Sequence, residues 1–197
     1  LQQSQRTLDK RFEELKNISN QLSADQKIRS FVYVSTPVNG RNAYRVFEMR
    51  NYLQSLNSFN NFLYGYYILF ENSDIASRTS LFYKGTFQYE GMEYKDWYDQ
   101  FIEEYHPGTF RAAQEINVNN KKCSVVTYLQ SIGYPNYYHG TVMILLDNTQ
   151  IQRLLLNSSM SHMGLVYVTD DNGTIISYAS TLENITEVPE IQLDDME

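Results

Sequence analysis

Hydrophobic and polar residues follow two different periods along this chain. In the first 22 residues leucine recurs every seven positions, and two further apolar residues fill the same side of a helix: Leu1, Leu8, Leu15, Leu22, Phe12 and Ile18. This spacing predicts an amphipathic helix of about six turns. Ser4 and Arg11 stand at the intermediate heptad positions, so the pattern does not indicate a regular coiled coil. The helix either lies on a domain or is a signalling helix that continues from a membrane span.

A different pattern occupies the middle of the chain. Lys121 to Gln130 and Gly140 to Asp147 are rich in β-branched, aromatic and aliphatic residues, and Gly133 to Asn136 separates them. These features predict two long antiparallel strands joined by a short loop. Val142 to Leu146 is apolar without alternation, which predicts a strand covered on both faces. We therefore expect this pair to form the centre of a sheet.

The remaining elements follow from the same two periods. Ser23 is predicted to cap a short helix. The predicted helices are 24–34, 42–55, 92–105 and 151–156, and the predicted strands are 62–70, 75–83, 110–118, 163–169 and 174–179. The turn Asp170 to Gly173 joins the last two strands into a hairpin. The acidic tail from Thr181 to Glu197 shows no regular pattern. Helices followed by antiparallel hairpins predict an α+β domain.

Composition excludes several functional classes. The 197 residues include 16 basic and 23 acidic side chains, and no basic stripe that would indicate nucleic-acid binding is present. No apolar run of about eighteen residues occurs, so no membrane span is predicted within this chain. Because the chain begins with Leu1 and not with Met, we expect it to be a segment of a longer protein.

Catalytic chemistry finds little support in the residue pattern. Cys123 is the only cysteine, and the three histidines, His106, His139 and His162, lack metal-ligand spacing. Nucleophile-elbow and phosphate-loop motifs are absent. The sequence therefore predicts a protein that is not an enzyme and that needs neither a cofactor nor a metal.

Four stretches resemble a known family. They are Gln21 to Asp25 with Ile28, Tyr67 to Asp74, Tyr94 to Tyr98, and Gly140 to Asp147 followed by Ile151 to Leu155. These stretches resemble the Cache-type extracellular sensor regions of bacterial membrane receptors, which have a PAS-like sheet. More narrowly, they resemble the ectodomains of membrane-anchored AraC-type transcription regulators and of sensor histidine kinases, with the AraC type favoured.

The resemblance implies a fold, a location and a division of the chain. The fold would be a long N-terminal helix packed on a PAS-like antiparallel sheet. The segment would lie on the extracellular face of a bacterial plasma membrane, tethered by segments outside this chain. We expect N-terminal signalling helices at 1–34, the sensor domain at 35–160, and a hairpin and acidic tail at 161–197. This hairpin would either open a truncated membrane-proximal lobe or sit on the first lobe.

The resemblance also implies a ligand site. In amino-acid-binding Cache domains an Arg-x-Trp-Tyr segment holds the ligand carboxylate, and a strand Tyr and a strand-end Asp meet the ammonium. The matching positions here are Lys95, Trp97, Tyr98, Tyr128 and Asp147. Lys95 replaces the arginine, and lysine cannot form a bidentate fork with a carboxylate. A cation, aromatic walls and an anion suit a small polar solute such as an amino acid, organic acid or sugar.

Structural roles compete with each of these assignments. Trp97 and Tyr98 have the helical spacing of core residues, and Lys95 has the character of a surface residue. Tyr128, between Thr127 and Leu129, is placed to alternate outward on its strand, and Asp147 stands where a helix cap is expected. We expect a sensor in which solute binding shifts a conformational equilibrium through the long helix, with a homodimer contact on that helix. The alternative is a ligand-free module that binds a partner protein or a cell-wall polymer through its 17 tyrosines.

Overall fold

A 23-residue helix, α1 (Gln2–Ala24), opens the chain in the computed structural model. The structure describes residues 2–31, 44, 47–48, 51–52, 62–70, 79–80, 104–118, 121–158 and 164–181. Leu8, Leu15 and Leu22 on α1 are buried, and Phe12 and Ile18 pack at the edge of the same core. The predicted amphipathic helix is confirmed from Gln2 onward, because its leucine stripe faces the domain.

The junction after α1 corrects one prediction. A short helix, α2 (Gln26–Phe31), follows at once, and its cap is Asp25 and not Ser23. Asp25 Oδ1 accepts hydrogen bonds from the backbone N–H groups of Lys27 at 2.7 Å and Ile28 at 3.2 Å. Ser23 still belongs to α1, and its hydroxyl donates to the carbonyl of Asn20. A serine inside a helix bonds back to the preceding turn and cannot cap the next helix.

Five antiparallel strands form the main sheet. They are β1 (Leu63–Phe70), β2 (Thr79–Ser80), β3 (Pro107–Val118), β4 (Lys121–Tyr134) and β5 (Tyr137–Asp147), in the order β2-β1-β5-β4-β3. The strand β5 is central, and its residues from Thr141 to Leu146 are all buried. The predicted central pair is therefore confirmed, with both strands longer than the sequence pattern indicated.

The hairpin between β4 and β5 turns at Pro135 and Asn136. Tyr134 pairs with Tyr137, and Asn136 has a φ of 66°. Proline followed by a residue with positive φ suits the two central positions of a type II turn. A register shift follows between Ser131 and Gly133, where β5 has one residue more than β4. This bulge sets which side chains of the two strands share a face.

The two faces of the sheet have different neighbours. Val126, Tyr128, Val142, Ile144 and Leu146 belong to the same buried cluster as the leucines of α1. We call this side the α1 face. Cross-strand partners share a face, so the alternate residues of each strand point to the opposite side. We call that opposite side the distal face.

The C-terminal elements pack against the α1 face. A helix, α3 (Asn148–Ser158), leads to a hairpin of β6 (Leu165–Thr169) and β7 (Ile175–Ser180). Ile176 and Ala179 of β7 join the core cluster. Asn148 Nδ2 donates to Ser124 Oγ at 2.9 Å, and Ser177 Oγ donates to Asn148 Oδ1 at 2.5 Å. These contacts attach the hairpin to α3 and β4, and the predicted hairpin is confirmed.

Several predicted elements lie wholly or partly outside the described residues. Within the predicted helix 42–55, residues 44, 47, 48, 51 and 52 are helical. Within the predicted strand 75–83, Thr79 and Ser80 pair with Ile68 and Tyr67. Most of the predicted helix 92–105 and nearly all of the acidic tail lie outside the described residues. Within the part of the chain that the structure describes, no helix has the length and apolarity to span a membrane.

Candidate functional site

The distal face presents an apolar middle with polar residues at both ends. Leu129, Met143 and Tyr67 form one cross-strand row, because Leu129 pairs with Met143 and Met143 pairs with Tyr67. Thr127 lies opposite Leu145 on one side of this row, and Thr141 lies opposite Ser131 on the other. Thr141 lies four positions before Leu145 along β5, a distance of roughly 13 Å at the usual rise of a strand. This surface has the dimensions of a small solute.

Three side chains of this face carry buried polar atoms without a hydrogen-bond partner among the residues that the structure describes. They are the hydroxyls of Thr127 and Thr141 and the amide nitrogen of Gln114. Thr127 and Thr141 are 0% and 1% exposed. An unsatisfied buried polar group costs about 1–3 kcal/mol, and each such group in a native protein calls for an explanation. A bound polar solute would supply the missing partners.

Asp147 ends β5 on the same face. It pairs with Val125, which also pairs with Gln114 of β3, so the three residues form a row across the sheet. Asp147 is therefore a diagonal neighbour of Thr127, at about 7–8 Å between backbones. Its Oδ1 accepts a hydrogen bond from the backbone N–H of Thr149 at 2.9 Å, so it caps α3. Asp147 therefore has the helix-capping role that was the alternative to ligand binding. It is also a neighbour of Thr127 and Gln114, whose polar atoms lack a partner among the described residues.

Tyr128 lies on the other face of the sheet. It pairs with Ile144, and its ring packs against Phe110 at a centroid distance of 4.8 Å on the α1 face. Burial raises the pKa of the Tyr128 hydroxyl above its ordinary value of 10.0. The hydroxyl lies against Gly108, which has a φ of 117°. The structure does not bring Tyr128 and Asp147 into one pocket, because the sheet separates them.

The other predicted ligand residues, Lys95, Trp97 and Tyr98, lie outside the described residues, so their place in a site with Asp147 stays a prediction. Among the described residues, Cys123 lies on β4, two residues before Val125, and its thiol donates to Tyr64 Oη of β1 at 3.2 Å. No group of histidine, cysteine, aspartate and glutamate residues suited to a metal ion occurs in the described part of the chain.

Sequence reasoning missed Thr127, Thr141 and Gln114. The available signal was the presence of single hydroxyl residues in otherwise apolar strand runs, Val125 to Leu129 and Thr141 to Leu146. Threonine is common in strands for its β-branched shape alone, so the sequence did not distinguish a surface threonine from a buried one. Burial and the missing hydrogen-bond partner make the distinction.

The fold matches solved sensory domains. A domain of a sensory box/GGDEF family protein from Vibrio parahaemolyticus has a TM-score of 0.56 at 12% identity, covering 85% of this chain and 65% of that chain. The extracellular domain of a histidine kinase has a TM-score of 0.55 at 13% identity, covering 85% and 62%. The ligand-binding domain of the Campylobacter jejuni chemoreceptor Tlp3, in complex with L-valine, has a TM-score of 0.52 at 14% identity, covering 90% and 67%.

These likenesses define the class of fold. The chain is an α+β domain with a long N-terminal helix packed on a PAS-like antiparallel sheet, and the predicted Cache-type fold is confirmed. The chain spans 65% and 62% of the first two solved structures. No family model and no curated protein matches the sequence.

Proposed function

We propose that this chain is the extracellular ligand-sensing domain of a bacterial transmembrane signalling protein. The fold supports this proposal, since the solved domains that share it are the extracellular domain of a histidine kinase and the ligand-binding domain of a chemoreceptor. In this proposal the chain binds and transmits, and it catalyses no reaction. The division at residues 34 and 160 and the membrane tethers outside this chain are parts of the same proposal.

The observation that carries the proposal is the set of unsatisfied polar atoms on the distal face. Thr127, Gln114 and Asp147 are neighbours there, with Thr141 at the far end of an apolar floor. The Asp147 carboxylate suits the ammonium group of an amino acid, because charge-assisted hydrogen bonds are the strong ones. Lys95, Trp97 and Tyr98 are proposed to complete the site. The ligand class is therefore a small polar solute, with amino acids first and organic acids and sugars next.

The sheet supplies a physical connection from this site to α1. Thr127 points to the distal face, while its chain neighbours Val126 and Tyr128 pack in the α1 cluster. Gln130 Nε2 also donates to Asn20 Oδ1 on α1 at 2.9 Å. A solute that moves β4 would therefore move the surface on which α1 rests. Signalling would follow if the solute binds one arrangement of sheet and helix more tightly than the other.

The output domain is proposed to be an AraC-type transcription regulator, and the sequence stretches that resemble such ectodomains are the support for it. A homodimer contact along α1 is proposed as well. Solute binding would then change the spacing or rotation of two α1 helices at the membrane, and this change would reach the output domain of the full protein.

A thermal-shift screen with amino acids, organic acids, sugars and short peptides tests the proposed function. A solute at a hundred times its dissociation constant should add about 2.7 kcal/mol of stability. Thr127→Val and Thr141→Val remove the unsatisfied hydroxyls and keep the side-chain volume. We expect these variants to be as stable as the parent, or more stable, without solute and to lose the solute-induced shift.

Two further variants sharpen the screen. Asp147→Asn removes the charge but keeps a good helix cap, so a loss of binding would report on charge alone. Thr174→Val, at an exposed position, is the matched control and should change neither value. A solute whose effect survives both the Thr127 and Thr141 substitutions does not bind at this site. If no solute in a broad collection binds, the ligand-free module that binds a protein or wall polymer becomes the better assignment.

A further inference from the structure

A cavity lies on the α1 side of the sheet, away from the distal face. It has a volume of about 650 Å³ and runs between the first half of α1, the start of β3 and the β6–β7 hairpin. Pockets of roughly 300–1,000 Å³ are typical of small-molecule sites. We call this cavity the hairpin groove.

The floor of the hairpin groove is apolar and partly aromatic. It is lined by Leu8, Phe12, Phe110, Leu155, Val166 and Ile176. Leu8, Leu155 and Ile176 are buried, whereas the two phenylalanines are half-buried and pack on each other at a centroid distance of 5.1 Å. Half-buried rings at the floor of a groove offer contact area and π faces to an incoming group.

The rim of the hairpin groove is acidic. Asp9 and Glu13 line it from α1, Asp170 and Asp171 line it from the hairpin, and Lys16 is its one basic lining residue among those described. The ion pairs found among the described residues involve none of these carboxylates. A cleft with one dominant sign of charge raises the local concentration of the opposite ion. This rim therefore favours a cation.

Two buried oxygens with spare hydrogen-bonding capacity lie behind Gly108, next to the hairpin groove. Gly108 lines the groove, and a Cβ atom added there would lie 2.5 Å from the hydroxyl of Tyr128 and 3.9 Å from Oε1 of Gln130. Gln130 Oε1 is buried without a hydrogen-bond partner, and Tyr128 is only 3% exposed. No hydrogen bond of the Tyr128 hydroxyl is found among the described residues. Neither Tyr128 nor Gln130 lines the hairpin groove, so a ligand in the groove contacts Gly108 and not these two oxygens.

We propose that the hairpin groove binds a small organic cation with an apolar or aromatic body, such as an arylalkylamine. The body would pack on Phe12 and Phe110, and the ammonium group would face Asp9, Glu13 and the hairpin carboxylates. The sixteen residues that follow Thr181 carry six carboxylates and no lysine or arginine, so the chain's own C-terminal segment has the wrong charge for this rim. A cation bound here touches both α1 and the hairpin.

Three probes with one body and different charges test the proposal. They are 4-phenylbutylamine, 4-phenylbutan-1-ol and 4-phenylbutyrate, compared by isothermal titration calorimetry and by thermal shift. We expect the amine to bind at least tenfold more tightly than the alcohol, and the acid to bind more weakly than both. Added salt should reduce this difference, because the rim carboxylates are mostly exposed.

Charge variants locate the effect. Asp9→Asn combined with Glu13→Gln should bring the affinity of the amine close to that of the alcohol. Glu14→Gln combined with Glu115→Gln removes two carboxylates outside the groove and should leave the affinity unchanged. Asp9, Glu13 and Glu115 are exposed and Glu14 is half-buried, and each replacement keeps a polar side chain of nearly the same size. An amine that binds no better than the acid, or that responds equally to both double variants, overturns the proposal.

The distal-face variants separate this proposal from the proposed function. Thr127→Val and Thr141→Val should not alter amine binding, because the sheet lies between them and the hairpin groove. If these substitutions abolish amine binding, the amine occupies the distal site and the hairpin groove is not its site.

Discussion

Gly108→Ala is expected to destabilise the domain by about 2–5 kcal/mol. Gly108 stands at a bulge of β3, between the pairs Pro107–Gln130 and Thr109–Leu129, with a φ of 117°. A residue with a Cβ atom pays about 1–3 kcal/mol for such a backbone conformation. The added methyl group would also lie 2.5 Å from the Tyr128 hydroxyl, and overpacking costs about 1–3 kcal/mol more.

A double-mutant cycle separates the two costs. Tyr128→Phe removes the hydroxyl and leaves the ring against Phe110, so by itself it should change stability by less than about 1 kcal/mol. In the Tyr128→Phe background, Gly108→Ala should no longer bear the cost of the methyl–hydroxyl overlap but should still bear the cost of the positive φ. The expected coupling energy is therefore about 1–3 kcal/mol in favour of the double variant.

Urea unfolding, followed by circular dichroism, measures all four corners of this cycle. Additive effects of the two substitutions would show that the tyrosine hydroxyl does not limit space at Gly108. A Gly108→Ala protein as stable as the parent would refute the backbone argument as well. Either result would require a different path for the start of β3 than the one described.

Three further perturbations follow from the packing. Asn148→Ala should cost about 1–3 kcal/mol in urea unfolding, because it leaves the buried Ser177 hydroxyl without its acceptor. Leu15→Ala should cost about 2–5 kcal/mol, since the Leu15 side chain of α1 is buried in the core. Tyr52 Oη donates to Asp25 Oδ2, and this hydrogen bond, then burial and the Asp25 charge, raise the pKa of Tyr52 above 10.0. The folded state therefore holds this proton more tightly, so the stabilisation is complete below pH 10 and is lost as the pH rises through the folded-state pKa.

Each of these predictions has a matched control. Asn172→Ala, at an exposed turn position, should cost much less than Asn148→Ala. Glu14→Ala removes only the partly exposed ion pair with Arg11 and should stay within about 1 kcal/mol of the parent. Tyr52→Phe should make the free energy of unfolding fall less steeply above pH 10. Tyr128→Phe should remove the contribution to that fall that comes from the raised pKa of Tyr128. A protein whose stability between pH 9 and pH 11 is the same with and without Tyr52 would contradict the linkage argument.

The spacing of apolar residues along the chain predicted most of the described helices and strands correctly. The leucine repeat of α1 and the β-branched runs of β4 and β5 depend on which side of a helix or strand is apolar, and that information lies within ten to twenty neighbouring residues. The capping residue of α2 was predicted two positions early. Ser23 and Asp25 are both good caps, and only the actual end of α1 decides between them.

The candidate site was less accessible to sequence reasoning. The resemblance placed Asp147 at the end of the central strand, where the structure has it beside Thr127 and Gln114. It also grouped Asp147 with Tyr128, which points to the α1 face. The unsatisfied hydroxyls of Thr127 and Thr141 could not be recognised from the sequence, because a missing hydrogen-bond partner is a property of the folded environment.

The sequence by itself determined the helices, the strands and the α+β class, because the period of apolar residues follows from backbone geometry. Tertiary structure alone decided which side chains of the sheet share a face. Tyr134 and Tyr137 pair at the hairpin turn, and without a bulge this register would place Tyr128 and Asp147 on one side of the sheet. One extra residue of β5 opposite Ser131 to Gly133 shifts the register and places them on opposite sides. Successive side chains of a strand point to opposite faces of the sheet. One inserted residue therefore changes, for all the pairs beyond it, which residues of the two strands point to the same face.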